Sequence, residues 1–344
     1  MAERDLIERL DDAVEAILAG RRDGLALSQP ELATLLVVAD DLRELPDPAF
    51  RSKLKAELIP TTEDEMTTMT AEEPKTGFHT ITPYLLVDRA DDLIAFMQDA
   101  FGAELLARHP APDGRVMHAE LRVGDSMIEM GEPSGEFKPM AMALHLYIDD
   151  VDAAYARALA SGATTMHALT DQPYGDREGG VKDRWGNIWY LATHQENVTE
   201  DELQRRFAGG GSKPRKETGV GPRPTGYHTV TPFLHARGAR ALLTFLENAF
   251  GARVEHLTEM AGREVAHAGV RIGDSMIELG EAHGESEPIP AVIHLHVPDV
   301  DAVYERAVRA GATSVNPPED KPYGERGAFV IDAFGNQWFI ATAR

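Results

Sequence analysis

Cysteine is absent from all 344 residues of the chain. That excludes disulfides, thiolate metal sites and a cysteine nucleophile. No apolar run approaches the ~20 residues a membrane-spanning helix needs. The start, Met1-Ala2-Glu3-Arg4-Asp5, reads directly into a polar helix and not into an export leader, so the cytoplasm is the expected location. Basic charge is also scarce: 34 Lys and Arg stand against 57 Asp and Glu, a formal net charge of −23. A chain this acidic repels a phosphate backbone and an anionic membrane surface. Lys213, Arg215, Lys216 and Arg223 form the only basic cluster. They lie in a stretch that reads as flexible linker, and a solubilising role is expected for them. Nucleic acid and membrane are therefore not expected as partners.

What the chain does have is an internal repeat. Thr76-Gly-Phe-His-Thr-Ile-Thr-Pro-Tyr-Leu85 returns as Thr225-Gly-Tyr-His-Thr-Val-Thr-Pro-Phe-Leu234. The same offset relates Gly124-Asp-Ser-Met-Ile-Glu129 to Gly273-Asp-Ser-Met-Ile-Glu278, Pro173-Tyr-Gly-Asp-Arg177 to Pro322-Tyr-Gly-Glu-Arg326, and Gly186-Asn-Ile-Trp189 to Gly335-Asn-Gln-Trp338. A constant offset over that span means a duplicated domain. The sequence divides into a helical segment (1–59), a polar linker (60–75), a first domain ending in a short helix (76–207), a Gly-Gly-Gly-Ser linker (208–224) and a second domain (225–344).

Periodicity predicts the elements. In copy one, His79 to Val87 reads as a strand. Leu93, Phe96, Met97 and Ala100 share one helical face that Gly102 terminates. Val116 to Val123 and Ser126 to Met130 form strands around the turn Gly124-Asp125. A second round follows, with a strand at Ala143 to Ile148, a helix at Val151 to Ala160, and a hairpin through Gly180–Asp183 and Asn187–Ala192. Further short strands are expected near Glu104–His109 and Thr164–Ala168. A capped helix is expected over Thr199 to Phe207. In the first sixty residues, Leu6, Leu10, Val14, Ile17 and Leu18 form an apolar stripe. Ser28 and Glu31 cap a second helix, and Asp47-Pro48 starts a third. These helices either bundle or cover a partner surface.

Paired β-α-β-β-β modules of this size resemble the glyoxalase/bleomycin-resistance (vicinal oxygen chelate) superfamily. The segments VMHAELRVGDSMIEM, HLYIDDVDAAYARALASGA and QPYGDREGGVKDRWGNIWYLAT, with their second-copy partners, are similar to its PhnB-like and bleomycin-resistance branch. The resemblance implies an α+β fold of two tandem domains, each with paired βαβββ modules, preceded by a small helical N-terminal segment. In metal-dependent members four strands each send one ligand, usually His, Glu, His and Glu, into a cup between modules. Carried over by position, these fall on Pro83, Glu129, Ala143 and Tyr190 in copy one, and on Pro232, Glu278, Val292 and Phe339 in copy two. Only the glutamates survive, so no metal or other cofactor is expected at the standard site. If a divalent metal binds, Glu278, His294 and His296 are the ligands to expect.

The remaining polar residues allow more than one reading. Glu129 and Glu278, among apolar neighbours, are the catalytic candidates, because burial of that kind raises a carboxylate pKa toward that of a general base. Equally, they are leftover ligands in a solvated cup. His79, His145, His228, His294 and His296 line the cup by strand parity, either as a rearranged metal or acid–base site or as polar lining. A shift of four residues moves a side chain ~13 Å along a strand, which separates His79 and His228 from a single coordination sphere. Arg177 and Arg326 hold an anionic ligand or pair with Asp176 or Glu325. Tyr147, Tyr190 and Phe339 suit capture of a flat or amphipathic molecule by stacking and burial. The expected function is therefore small-molecule binding by two domains paired within the chain. Two alternatives are a metal-dependent lyase, isomerase or dioxygenase with relocated His and Glu ligands, and a scaffold that docks or self-associates through its N-terminal helices. Whether any reaction is catalysed stays open at this level.

Overall fold

A computed structural model describes residues 78–135, 137–260, 263–282, 287–321 and 324–343. The expected N-terminal helices and the 60–75 linker lie outside the described residues. Copy one runs β1 (Ile81–Leu86), α1 (Ala90–Phe101), β2 (Glu104–Pro110), β3 (Val116–Val123), β4 (Ser126–Gly131), β5 (Ala143–Tyr147), α2 (Val151–Ala160), β6 (Thr164–Asp171), β7 (Asp176–Lys182) and β8 (Ile188–His194). After α3 (Glu200–Phe207), copy two repeats the order. It consists of β9 (Val230–Ala236), α4 (Ala239–Phe250), β10 (Arg253–Met260), β11 (Arg263–Ile272), β12 (Ser275–Glu281), β13 (Val292–His296), α5 (Val300–Arg309), β14 (Thr313–Asp320), β15 (Glu325–Ile331) and β16 (Gln337–Ala343). Among the described residues no helix is long and apolar enough to cross a membrane.

Local chemistry explains the elements. α1 buries Leu93, Phe96, Met97 and Ala100, the predicted face, and stops at Gly102 with φ 70°. α2 is capped by Asp150, whose carboxylate accepts from Ala153 N at 3.0 Å. The tight corner before β8 is organised by buried Asp183. It accepts from Trp185 N, Asn187 N and Asn187 Nδ2 (each 2.9 Å) and from Trp189 Nε1 (3.0 Å), which holds the indole in the core. Asp332 does the same for Phe334, Asn336 and Trp338 in copy two.

The sheets are shared between the repeats. One eight-stranded sheet runs β14-β15-β16-β13-β1-β4-β3-β2, the other β10-β11-β12-β9-β5-β8-β7-β6. Each joins the first module of one repeat to the second module of the other, through the antiparallel pairs β1–β13 and β5–β9. The Gly124-Asp125 and Gly273-Asp274 turns sit against the opposite repeat. Both glycines have φ +59°, and a Cβ on either would lie 2.3 Å from Oγ1 of Thr229 or Thr80. Glycine is required there by backbone angle and by space alike.

At the pseudo-twofold seam His79 and His228 stack face to face, with centroids 3.5 Å apart. His79 donates Nε2–H to the Asp125 carbonyl (2.8 Å) and Nδ1–H to Asp274 (3.2 Å). His228 mirrors this with the Asp274 carbonyl (3.0 Å) and Asp125 (3.3 Å). The 208–224 segment carries no regular secondary structure but is tied down at several points. Arg206 pairs with Glu196 at 2.7 Å, both almost fully buried. Arg215 N donates to Glu196, His194 N to the Pro222 carbonyl, and Arg223 pairs with Asp125 at 2.8 Å. Arg223 of the basic cluster is thus a seam residue.

Candidate functional site

Because the sheets are shared, so are the cups, and this differs from the expectation of one cup per repeat. Glu129 of β4 meets β13 and β16 of copy two, while Glu278 of β12 meets β5 and β8 of copy one. His294 Nδ1 lies 2.8 Å from Glu129 Oε2, and His145 Nδ1 lies 2.8 Å from Glu278 Oε2. His296 and Phe339 therefore belong with Glu129, and Tyr147 and Tyr190 with Glu278. The sequence could not distinguish this from self-contained cups, since both arrangements satisfy the same strand pattern.

Strand parity also corrects the first carried-over position. On β1, Leu85 is fully buried in the core, whereas Tyr84 sits near His118 (6.0 Å) and Phe339 (6.2 Å). Alternation then puts Thr82 and Tyr84 in the cup and turns Pro83 away. Thr82 stands opposite His294, and Thr231 opposite His145. Both threonine hydroxyls are buried without a hydrogen-bond partner. The central strands of one cup therefore offer Thr82, Glu129, Val292 and Phe339, and those of the other Thr231, Glu278, Ala143 and Tyr190. Valine, alanine and phenylalanine carry no donor, and the Tyr190 hydroxyl pairs with His235 Nε2 at 3.1 Å. The donors at these positions do not fit the family's usual metal set.

The glutamates are not the raised-pKa bases that apolar neighbours suggested. Burial pushes Glu278 up, but attraction to His145 and the hydrogen bond between them outweigh it, bringing Glu278 down to about 2. Burial depresses His145, yet Glu278 raises it to about 9. Glu129 is lowered in the same way: burial opposes the shift and His294 drives it. Each cup thus contains a buried, hydrogen-bonded Glu–His pair whose two members come from different repeats.

The Glu278 cup carries further acidic groups on its wall. Asp176 accepts from the Tyr147 hydroxyl at 3.0 Å and from His194 Nδ1 at 2.5 Å. Glu178 accepts from the Tyr174 hydroxyl at 2.9 Å and lies 3.8 Å from His145 Nε2. His267 lies 3.8 Å from Glu278 at the rim, and Phe233 packs 5.4 Å from Tyr190. In the Glu129 cup, His118 approaches Glu129 at 3.7 Å, and Phe329 stacks on Phe339 with centroids 4.3 Å apart. His118 and His267, which read from sequence as structural or surface residues, border the cups.

The other sequence candidates lie elsewhere. His79 and His228 form the seam. Arg177 grips Asp152 (2.7 and 2.6 Å) and Asp171 (3.1 Å), and Arg326 grips Asp301 (2.7 Å, twice) and Asp320 (3.0 Å). The reason is local: β7 and β15 begin beside the acidic first turns of α2 and α5, so each guanidinium is engaged there. Sequence reasoning missed Asp176, Glu178, Tyr174, Tyr227 and His194 as cup residues. The Pro-Tyr-Gly-Asp-Arg repeat was the signal for Tyr174 and Asp176, but its aspartate was weighed only as a partner for arginine; Tyr227 reaches the cup beside Tyr147, 5.5 Å away, from the start of copy two.

The glyoxalase/bleomycin resistance protein/dioxygenase superfamily model matches residues 77–191 and 228–340, more than half of the chain. The chain belongs to that superfamily. An uncharacterized protein of Mycobacterium bovis is 37% identical over 142 residues, covering 38% of this chain and 93% of its own length. An uncharacterized protein of Mycobacterium tuberculosis H37Rv shows the same identity over 84% of its length. Among solved structures, glyoxalase I from Zea mays superposes with a TM-score of 0.54 at 16% identity, over 76% of this chain and 91% of that one. At that identity the likeness shows the superfamily fold and nothing further about chemistry.

Proposed function

We propose that this member of the superfamily is a small-molecule-binding protein that takes a flat or amphipathic ligand into its two cups, without the family's standard metal centre. The observation that supports it most is what replaces the usual donors. A partly exposed aromatic ring takes one donor position in each cup, Phe339 in one and Tyr190 in the other, and a second ring packs beside it, Tyr84 and Phe233 respectively. Such walls capture a ligand by burial and stacking, while the buried His–Glu pair behind them fixes its orientation.

The test is a thermal-shift screen followed by calorimetry at constant pH. For any ligand found, Tyr190→Ala or Phe339→Ala should weaken binding tenfold to a hundredfold, the ~1–3 kcal/mol of a lost aromatic contact. Glu129→Gln and Glu278→Gln should matter less. The reverse ranking, with affinity or turnover collapsing on loss of a glutamate alone, would replace this reading with an enzymatic one.

A further inference from the structure

We propose that the Glu278 cup holds a divalent transition-metal ion at a displaced position, on His145 Nε2, Asp176 and Glu178. The retained family glutamate, Glu278, is then not a ligand but the carboxylate that orients the ligand histidine. The claim goes beyond the binding reading above and does not depend on it.

Three observations carry it. First, one ligand atom from each of His145, Asp176 and Glu178 lies within 4.8 Å of the others, from strands β5 and β7. Bonds of ~2.0–2.2 Å to a common ion need only a modest side-chain contraction from there. Second, His145 Nε2 is buried and makes no hydrogen bond, although the residue is only 5% exposed. It faces the Glu178 carboxylate, 3.8 Å away. A buried polar atom without a partner calls for an explanation, and an ion between it and the two carboxylates supplies one. Third, the surroundings already have the form of an outer coordination shell. His145 donates Nδ1–H to Glu278 at 2.8 Å, the carboxylate–histidine–metal arrangement that fixes a ligand imidazole. Tyr147 and His194 hold Asp176, and Tyr174 holds Glu178. To coordinate, the imidazolium gives up its Nε2 proton and keeps Nδ1–H toward Glu278, so metal binding releases a proton. Two carboxylates and the neutral imidazole then balance a dication, and the N/O donor set suits Mn, Fe, Co or Zn.

The second cup repeats the plan with different donors. His294, also bound to a retained glutamate through Nδ1, stands with His296 and Glu325 within the same 4.8 Å limit. Glu178 corresponds to Gly327 there, and Tyr147 to His296. Any ion in that cup meets two imidazoles and one carboxylate, so the two cups are distinguishable by substitution.

The experiment is titration of the chelator-stripped full-length protein with Co²⁺ alone, followed by visible ligand-field absorption and calorimetry. Wild type should show saturable binding with d–d bands. One class of site should disappear in His145→Ala and weaken at least tenfold in Glu178→Gln, a conservative change at the cup wall whose fold is checked by its melting transition. His294→Ala should leave that class intact. Glu278→Gln should preserve the stoichiometry and weaken affinity about 10- to 100-fold, as loss of an orienting partner does. The proposal is overturned if wild type shows no saturable binding, or if the Glu178→Gln titration superimposes on wild type. It is also overturned if Glu278→Gln abolishes the site while Glu178→Gln spares it, which would put the ion on the family's own glutamate.

Discussion

The seam between the repeats offers a test in which one half of the molecule controls for the other. Asp125 accepts from Thr229 N at 2.8 Å and His228 Nδ1 at 3.3 Å, and pairs with Arg223 at 2.8 Å. Its counterpart Asp274 accepts from Thr80 N at 2.9 Å and His79 Nδ1 at 3.2 Å. No arginine in the repeat corresponds to Arg223, because Pro74 occupies the equivalent position. Asparagine preserves the acceptor for the backbone N–H but removes the charge. A charge-assisted hydrogen bond contributes about 1.5–3 kcal/mol when buried. The carboxylates are 33% and 48% exposed, so screening reduces that to about 1 kcal/mol for Asp274→Asn. The half-exposed Arg223 pair adds about 0.5–1 kcal/mol for Asp125→Asn. Urea unfolding at pH 7 should therefore rank wild type above Asp274→Asn, and Asp274→Asn above Asp125→Asn. The pH dependence follows from the same contacts. Burial opposes ionisation of both aspartates, but their hydrogen bonds prevail and hold each below the usual carboxylate range. A depressed carboxylate stabilises the fold above its unfolded pKa, near 4, and loses that contribution as pH falls through the folded value. The gap to each variant should be complete at pH 6 and close in acid. His79, raised by its hydrogen bond to Asp274, acts in the opposite sense. Its contribution is present below about 6.5 and lost as pH rises through the folded value. A cost for Asp274→Asn equal to or above that of Asp125→Asn, or a gap unchanged down to pH 2, would refute this account.

Either repeat expressed alone, 76–207 or 225–344, should run as a dimer in size-exclusion chromatography. Separation bares the edges of β1 and β5, or of β9 and β13, which otherwise pair across the seam. Asp183→Ala should destabilise by roughly 3–5 kcal/mol in thermal unfolding, because four donors around buried Trp189 and Asn187 lose their acceptor. Arg206→Met should cost about 1–3 kcal/mol by leaving the buried Glu196 carboxylate with Arg215 alone, and should expose the 208–224 segment to limited proteolysis.

Much of the fold was legible because its signals are local. Alternation and capping located β3 at Val116–Val123 and α2 at Val151–Ala160 to the residue. The buried face of α1 followed from its spacing alone. The site was less legible because it depends on relations between strands far apart in sequence. Glu129 and His294 are 165 positions apart, and no local pattern says that they touch. Counting to Pro83 instead of Thr82 was a one-residue error, and on a strand that reverses the face. The pKa direction failed for a related reason. Apolar neighbours in sequence imply a raised carboxylate, but the histidine that lowers it comes from the other repeat.

Sharing each cup between repeats also explains why the two cups have become chemically different while the fold has stayed nearly exact. A substitution in the first module of copy one alters a wall of one cup, and a substitution in its second module alters a wall of the other. Tyr147 and Glu178 therefore changed only the Glu278 cup, and their counterparts His296 and Gly327 only the Glu129 cup. The residues retained in both copies include those with a partner across the seam: Asp125 and Asp274, His79 and His228, and the pairs Glu129–His294 and Glu278–His145. Each of these contacts holds a buried or half-buried carboxylate that would be left uncompensated if its partner were lost, which costs more than most changes of surface or wall residues. The pairing thus constrains the cup floors while leaving the walls free to vary. Differences in what the two cups bind should therefore map to Tyr147, Glu178 and Tyr190 against His296, Gly327 and Phe339. Exchange of these three residues between the copies, with the floor pairs untouched, should transfer ligand or metal preference from one cup to the other.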